Sequence, residues 1–218
     1  MIKAVIFDFD GVIMDSEPLN DIFFPRHLKR MGIDLSADYI KQFKGTSSKT
    51  QWSYIIKKYH LTRPINELIA ESSRDYLAFI KSIPDIKPIT GVRELLALLS
   101  QSKVKIALAS SASKKRIHTI LDMFNITHYF SVITSTHDVE HSKPNPEIFL
   151  ITAKKLNINP ENCLVIEDST HGVSAAKNAG MKCIGFANIP YNTQDLSKAD
   201  IIVHSIGEIN WSVINNLK

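Results

Sequence analysis

Six short apolar runs recur along the chain, at 3–7 (KAVIF), 105–109 (KIALA), 131–134 (SVIT), 163–167 (CLVIE), 182–186 (KCIGF) and 200–204 (DIIVH). Most are continuous rather than alternating, the pattern of strands covered on both faces. Helical patterns lie between them. Gly91 opens one, with Val92, Leu95, Leu96, Leu98 and Leu99 apolar. Ser113 opens a second, with Ile117, Ile120 and Leu121 on one side, and Pro146 a third, with Ile148, Phe149, Ile151 and Leu156. A fourth runs from Ser169 to Gly180, with Val173, Ala176 and Ala179 at helical spacing and Gly180 placed to end it. Strands alternating with helices predict an α/β fold, a Rossmann-like parallel sheet with helices on both faces. Ligands of such sheets bind outside the carboxyl ends of the strands.

Residues 16–87 break this rhythm. They hold no convincing strand and read as helical at roughly 18–31, 37–43, 48–59 and 65–82. Pro64 sits where a helix can begin, and Ile65, Leu68, Ile69, Tyr76, Phe79 and Ile80 then form a helical stripe. Pro25 lies inside the first stretch and is expected to shorten, kink or restart that helix. Pro18, Pro84 and Pro88 border the segment. The expected organisation is an α/β core of 1–15 and 88–218 with an all-helical domain, 16–87, inserted after the first strand.

Charge sharpens that division. Segment 16–87 holds 12 basic and 8 acidic residues and the remainder 14 of each, so the whole net charge of +4 falls in the insert. That suits a lid over an anionic substrate, and equally a plain solvated helical surface. No concentrated basic tract is present, which argues against a nucleic-acid partner. No apolar run approaches the ~18–20 residues of a membrane span. The apolar stretch at the N-terminus is short and interrupted by Asp8 and Asp10, so no signal sequence is read there and the expected location is the cytoplasm. Cys163 and Cys183 match no metal or redox spacing and are expected to be reduced, buried thiols.

Four stretches at or just past the strand ends carry candidate chemistry. In VIFDFDGVIMDSEP, 5–18, Asp8 and Asp10 lie two apart, so both can turn toward one cation. Mg²⁺ takes hard oxygen ligands and few carboxylates, keeping places for water and phosphate. An ionised Asp8 can attack phosphorus, while Asp10 can protonate the leaving oxygen and later deprotonate water. Gly11 allows a sharp turn close to a ligand. A calcium loop is excluded, because Val12 and Ile13 stand where it needs a polar ligand and a glycine. In IALASSAS, 106–113, a hydroxyl at a strand end can donate to a phosphate oxygen, although serine there is also an ordinary turn or N-cap residue. In SKPNPEIF, 142–149, Lys143 before Pro144 is held extended and can neutralise an acid and a transferred phosphoryl group. In LVIEDSTHGVSAAKNAGM, 164–181, the adjacent acids Glu167 and Asp168 are costly to bury unless they coordinate something. His171 reads as a helix-start or surface residue.

Together these stretches resemble the haloacid dehalogenase superfamily over nearly the whole chain. DFDGVIMDSE resembles its nucleophile motif, and KPxPxxF has the spacing of its third motif. The resemblance implies Asp8 as nucleophile and Asp10 as general acid/base. It implies Ser110, aided by Ser111, and Lys143 as phosphate contacts. It implies a Mg²⁺ held by Asp8, the backbone carbonyl of Asp10, Asp168 and, directly or through water, Glu167. The branch it is most similar to carries a helical cap between the first two motifs and includes β-phosphoglucomutase and sugar-phosphate phosphatases. Segment 16–87 resembles that cap. FKGTSSKTQ, 43–51, resembles its specificity loop, which makes Gly45, Ser48 and Lys49 candidate substrate contacts.

The chain departs from the mutase at two points. Ser48 and Lys49 stand where the mutase loop has an arginine, and Asn20 stands where it has a histidine. A lysine holds phosphate as a point charge, so the departure is not decisive, but it favours a phosphatase of a small phosphorylated metabolite over a mutase-like phosphotransferase. A dehalogenase would not keep Asp10, a phosphonate hydrolase has a small residue there, and a receiver-type signalling domain orders its acids differently. The sequence does not specify the oligomeric state.

Overall fold

The computed structural model describes residues 1–36, 39, 47–188 and 194–217. The chain separates into two compact units, Met1–Asp15 with Lys87–Lys218, and Ser16–Ile86.

The first unit is built on six parallel strands: β1 (Ala4–Phe7), β2 (Lys105–Ala109), β3 (Val132–Thr134), β4 (Cys163–Glu167), β5 (Lys182–Phe186) and β6 (Ile201–Val203). Their order is β3-β2-β1-β4-β5-β6, so the direction of winding reverses at β1. Such a reversal opens a crevice at the carboxyl ends of the neighbouring strands. Phe7 pairs in register with Leu108 of β2 and Ile166 of β4, which brings the ends of the three central strands level.

The continuous apolar runs have a simple cause. Successive residues of β1 point to opposite faces, and both faces are covered. Ala4 and Ile6 pack with Ile148, Phe149, Ala153 and Leu156 of a helix at Glu147–Leu156, and with Val173 and Ala176 of another at Thr170–Asn178. Val5 and Phe7 are fully buried on the other face. The helices Val92–Ser100 and Lys114–Met123 bury Leu95, Leu96, Leu99, Ile117, Ile120 and Leu121, the first of them packing on β2. Each such side chain contributes about 1.5–3 kcal/mol of burial. Cys163 and Cys183 are free and buried, as expected.

The second unit contains α1 (Glu17–Arg30), α2 (Ser48–Tyr59) and α3 (Ile65–Lys81), and among its described residues there is no strand. The core helices follow as α4 (Val92–Ser100), α5 (Lys114–Met123), α6 (Glu147–Leu156), α7 (Thr170–Asn178) and α8 (Trp211–Asn216). α3 packs against both α1 and α2. Leu28, Ile33, Trp52, Ile55 and Leu68 form the core of this unit. Beside it, Phe23 stacks on His27 at 5.3 Å and meets Tyr76 edge-on at 5.1 Å.

Three details differ from the sequence reading or extend it. α1 runs through Pro25 without ending. The missing N–H costs one ladder bond, about 3 kcal/mol with the ring clash. Burial of Phe23, His27 and Leu28 on the same helix opposes that loss. The short helix α8 was not anticipated, since six residues carry too little periodicity; Asn210 caps it by accepting from the Val213 N–H. The helix expected at 37–43 lies outside the described residues apart from Tyr39. Among the described residues no helix is long and apolar enough to cross a membrane.

Candidate active site

The site begins where β1 stops. Asp8 follows Phe7 and continues the ladder by donating its backbone N–H to Ile166 O at 3.0 Å, which fixes its direction. The chain then turns: Gly11 N–H donates to Met14 O at 2.7 Å, and the N–H groups of Ile13 and Met14 both donate to Phe9 O. Gly11 adopts φ +79, a left-handed conformation that costs other residues energy. It also lies against the carboxylate of Asp168, where an added Cβ would be 1.9 Å from Oδ2. Asp168, just past β4, is therefore pressed onto the turn that follows Asp8.

Lys143 joins the strand ends. Its Nζ donates to Asp8 Oδ1 at 2.5 Å, to Glu167 Oε1 at 2.7 Å and to the Ala109 carbonyl at 3.2 Å. The side chain is only 8% exposed and its ammonium lies 4.9 Å from the centre of the Phe149 ring. Burial opposes the charge on Lys143, but Asp8 and Glu167 more than offset this and hold its pKa above the usual lysine value.

Glu167 is fully engaged. Oε1 accepts from Lys143, and Oε2 accepts from the Ser169 N–H and hydroxyl, each at 2.9 Å. Ser169 in turn caps α7 by accepting from the Gly172 N–H. Any side chain at Gly172 would collide with Glu167, its Cβ falling 1.7 Å from Oε1. Glu167 thus holds Lys143 in place and ties β4 to the start of α7.

Ser110 follows β2, is buried, and accepts at Oγ from the Ala112 N–H at 3.0 Å. Its own hydroxyl proton can be donated elsewhere. Ser111 is exposed beside it. Ser113 caps α5 by accepting from the Arg116 N–H. Arg116, in the first turn of that helix, reaches back to Asp10, with Nη2 2.5 Å from Oδ1. The motif reading missed this residue; its signal was the Ser113 cap, which fixes the helix start just past a strand end.

Electrostatics set this cluster apart. Among the described residues, the cations paired with Asp8, Asp10 and Glu167 are Lys143 and Arg116, and Asp168 lies beside them. With all four acids ionised, the formal deficit is two positive charges. Burial pushes Asp8 up to about 7, with Lys143 pulling it back and Glu167 and Asp10 adding to the rise. Burial, then the neighbouring carboxylates, hold Asp168 well above the usual carboxylate range. A divalent cation is the group this arrangement fits. No three of these acids bring carboxylate oxygens within 4.8 Å of one another among the described residues. That suits Mg²⁺, which takes one or two carboxylates and completes its shell with carbonyls, water and phosphate.

Of the residues singled out from sequence, Asp8, Asp10, Ser110, Ser111, Glu167 and Asp168 lie in the first unit at or just past the strand ends, and Lys143, in the loop before α6, reaches them with its ammonium. Ser48 and Lys49 lie in the helical unit, exposed in the first turn of α2 after the Ser47 cap. Gly45 lies outside the described residues. His171 is exposed in the first turn of α7.

A family model described as haloacid dehalogenase-like hydrolase matches residues 5–186, and the chain belongs to that family. The chain is 32% identical over 214 residues to the putative phosphatase YhcW of Bacillus subtilis, covering 98% of this chain and 96% of that protein. It is 31% identical over 186 residues to a phosphorylated carbohydrates phosphatase of Thermotoga maritima, covering 84% and 83% of the two chains. Among solved structures, β-phosphoglucomutase from Clostridium difficile matches with a TM-score of 0.83 and 31% identity, covering 100% of this chain and 97% of that one.

Proposed function

We propose that the protein is a Mg²⁺-dependent phosphatase that hydrolyses a small phosphorylated metabolite, a sugar phosphate, through an aspartyl-phosphate on Asp8. The observation that carries this reading is the buried Asp8 carboxylate held on Lys143 inside a cluster two positive charges short. The family and the named phosphatases among the relatives support it. Asp8, the backbone carbonyl of Asp10, Asp168 and, directly or through water, Glu167 would hold the metal. Bound there, Mg²⁺ supplies positive charge that offsets the repulsion between an anionic phosphate and the cluster.

The chain's own residues then do the rest. Lys143 and the Ser110 hydroxyl orient the phosphoryl group and stabilise the charge that develops on its oxygens. A carboxylate oxygen of Asp8 bonds to phosphorus as the bond to the leaving oxygen breaks, and Asp10 protonates that oxygen. Asp10 next takes a proton from water, whose oxygen bonds to phosphorus as the acyl-phosphate bond breaks. Inorganic phosphate and free Asp8 result. The helical unit serves as a cap that selects the substrate, with Gly45, Ser48 and Lys49 as its contacts and its basic excess favouring an anion.

A phosphotransferase of the β-phosphoglucomutase kind is the second reading, favoured by the likeness to that solved structure over the whole chain. Turnover of p-nitrophenyl phosphate and a panel of sugar phosphates, with Mg²⁺ and with EDTA, tests the first reading. Release of inorganic phosphate that requires Mg²⁺ and vanishes in Asp8→Asn is expected. Full activity in EDTA, or in pure Asp8→Asn protein, would overturn it. Isomerisation of a hexose 1-phosphate on addition of a hexose bisphosphate would select the second reading.

A further inference from the structure

Asp10 sits on a turn, past the end of its strand, and its side chain is about one-third exposed (34%). Nothing in the turn's backbone bonding holds its carboxylate, since those bonds run between Phe9, Gly11, Ile13 and Met14. An acid/base group needs a defined direction, because proton transfer requires hydrogen-bond geometry to the reacting oxygen. Among the described residues, the hold comes from 106 residues away: the Arg116 guanidinium, 18% exposed, on Oδ1. Arg116 is itself placed by Ser113, which caps α5 and belongs to the same short segment as Ser110. One segment, Ser110–Arg116, therefore carries both a candidate phosphate donor and the clamp on Asp10.

We propose that Arg116 is a positioning residue for Asp10: by occupying Oδ1 it leaves Oδ2 as the oxygen that gives and takes the proton. In the first step the Oδ2 proton moves to the leaving oxygen as the phosphorus–oxygen bond breaks. In the second, Oδ2 accepts a proton from water as the bond from Asp8 to phosphorus breaks. Arg116 makes and breaks no bond in either step. This inference rests on Asp10 being the acid/base of the proposed phosphatase.

A leaving-group comparison tests it. kcat/KM covers only the steps up to departure of the alcohol, so it reports the acid step alone. p-Nitrophenolate leaves without help from an acid, whereas an alkoxide does not. Arg116→Ala is expected to lower kcat/KM for glycerol 1-phosphate by about 10-fold or more, as loss of acid catalysis does. p-Nitrophenyl phosphate should change by less than about 3-fold, because it bypasses that step. KM should not rise for either substrate, and for p-nitrophenyl phosphate kcat and KM should fall together as the second step slows; Arg116→Lys should recover part of the loss. Asp10→Asn should show the same selectivity more strongly, and the double variant should lose nothing beyond Asp10→Asn. Circular dichroism checks the fold, and Arg116→Gln replaces Arg116→Ala if the latter does not fold. Equal loss on both substrates, no loss, or a raised KM would overturn the role of Arg116 while Asp10→Asn kept its selectivity. Absence of that selectivity in Asp10→Asn would instead overturn the acid/base assignment beneath it.

Discussion

Each unit holds a cluster of buried or half-buried charge, and the two are balanced differently. In the helical unit His27, Glu71 and Asp75 bring three possible metal-ligand atoms within 4.8 Å. Each acid there has its own guanidinium: Arg30 reaches Asp75 at 3.0 Å and Arg63 reaches Glu71 at 2.6 Å. His27 adds a contact to Asp75 at 3.2 Å, and burial keeps its pKa below the usual histidine value. At the strand ends of the other unit, four acids share two cations among the described residues, and Asp8 and Asp168 are both pushed toward their protonated forms. A balanced cluster closes on itself as structure, whereas a cluster short of positive charge would be eased by a cation.

The most damaging way to break this contrast is to remove the shared cation. Lys143→Met should lower turnover by about 10²–10³-fold, the effect of losing a transition-state charge partner. It should also destabilise the fold by about 3 kcal/mol, because Asp8 and Glu167 are left buried and unpaired; denaturant titration measures this, and added Mg²⁺ should restore part of it. Gly11→Ala probes the contact with Asp168. The strained φ of +79 and the collision with its carboxylate should cost about 2 kcal/mol and weaken Mg²⁺ activation, read from the metal dependence of the rate. Asp75→Asn disturbs the balanced cluster instead. It should cost about 1 kcal/mol through weakened contacts to His27 and Arg30, with the Mg²⁺ dependence of turnover unchanged.

Burial of Asp8 also predicts a pH dependence. Asp8 has a folded pKa of about 7 against 3.8 for the free side chain. Between those values the folded state keeps a proton that the unfolded state has released, so its stability falls as pH rises through that window. Melting of metal-free protein from pH 4 to 7 should show this slope, and it should be reduced in Asp8→Asn and by Mg²⁺. A slope that survives in Asp8→Asn would assign it to another group.

Much of this was legible in the chain. The six strands were readable because both faces of the sheet are covered, which turns each strand into an apolar run. Asp8, Ser110 and Asp168 could be picked out because short motifs hold them next to strand ends that register brings level, and Lys143 because its motif opens α6. Arg116 escaped, since its partner is 106 residues away and the Ser113 cap marks only where its helix starts, not what the side chain meets. The engagement of Glu167 was equally hidden: an acidic pair after a strand looks the same whether an acid faces a metal or a lysine. Pro25 does not end α1, which is held by side chains buried on its other residues.

Fluorine NMR with beryllium fluoride, a phosphoryl mimic that attaches to an aspartate, tests the central claim most directly. With Mg²⁺ present, the wild-type protein should give bound fluoride resonances at stoichiometric occupancy, and Asp75→Asn should give the same spectrum. Asp8→Asn should give none. Resonances that persist in Asp8→Asn, or that never form in the wild type with Mg²⁺, would contradict a phosphoryl-accepting carboxylate at Asp8.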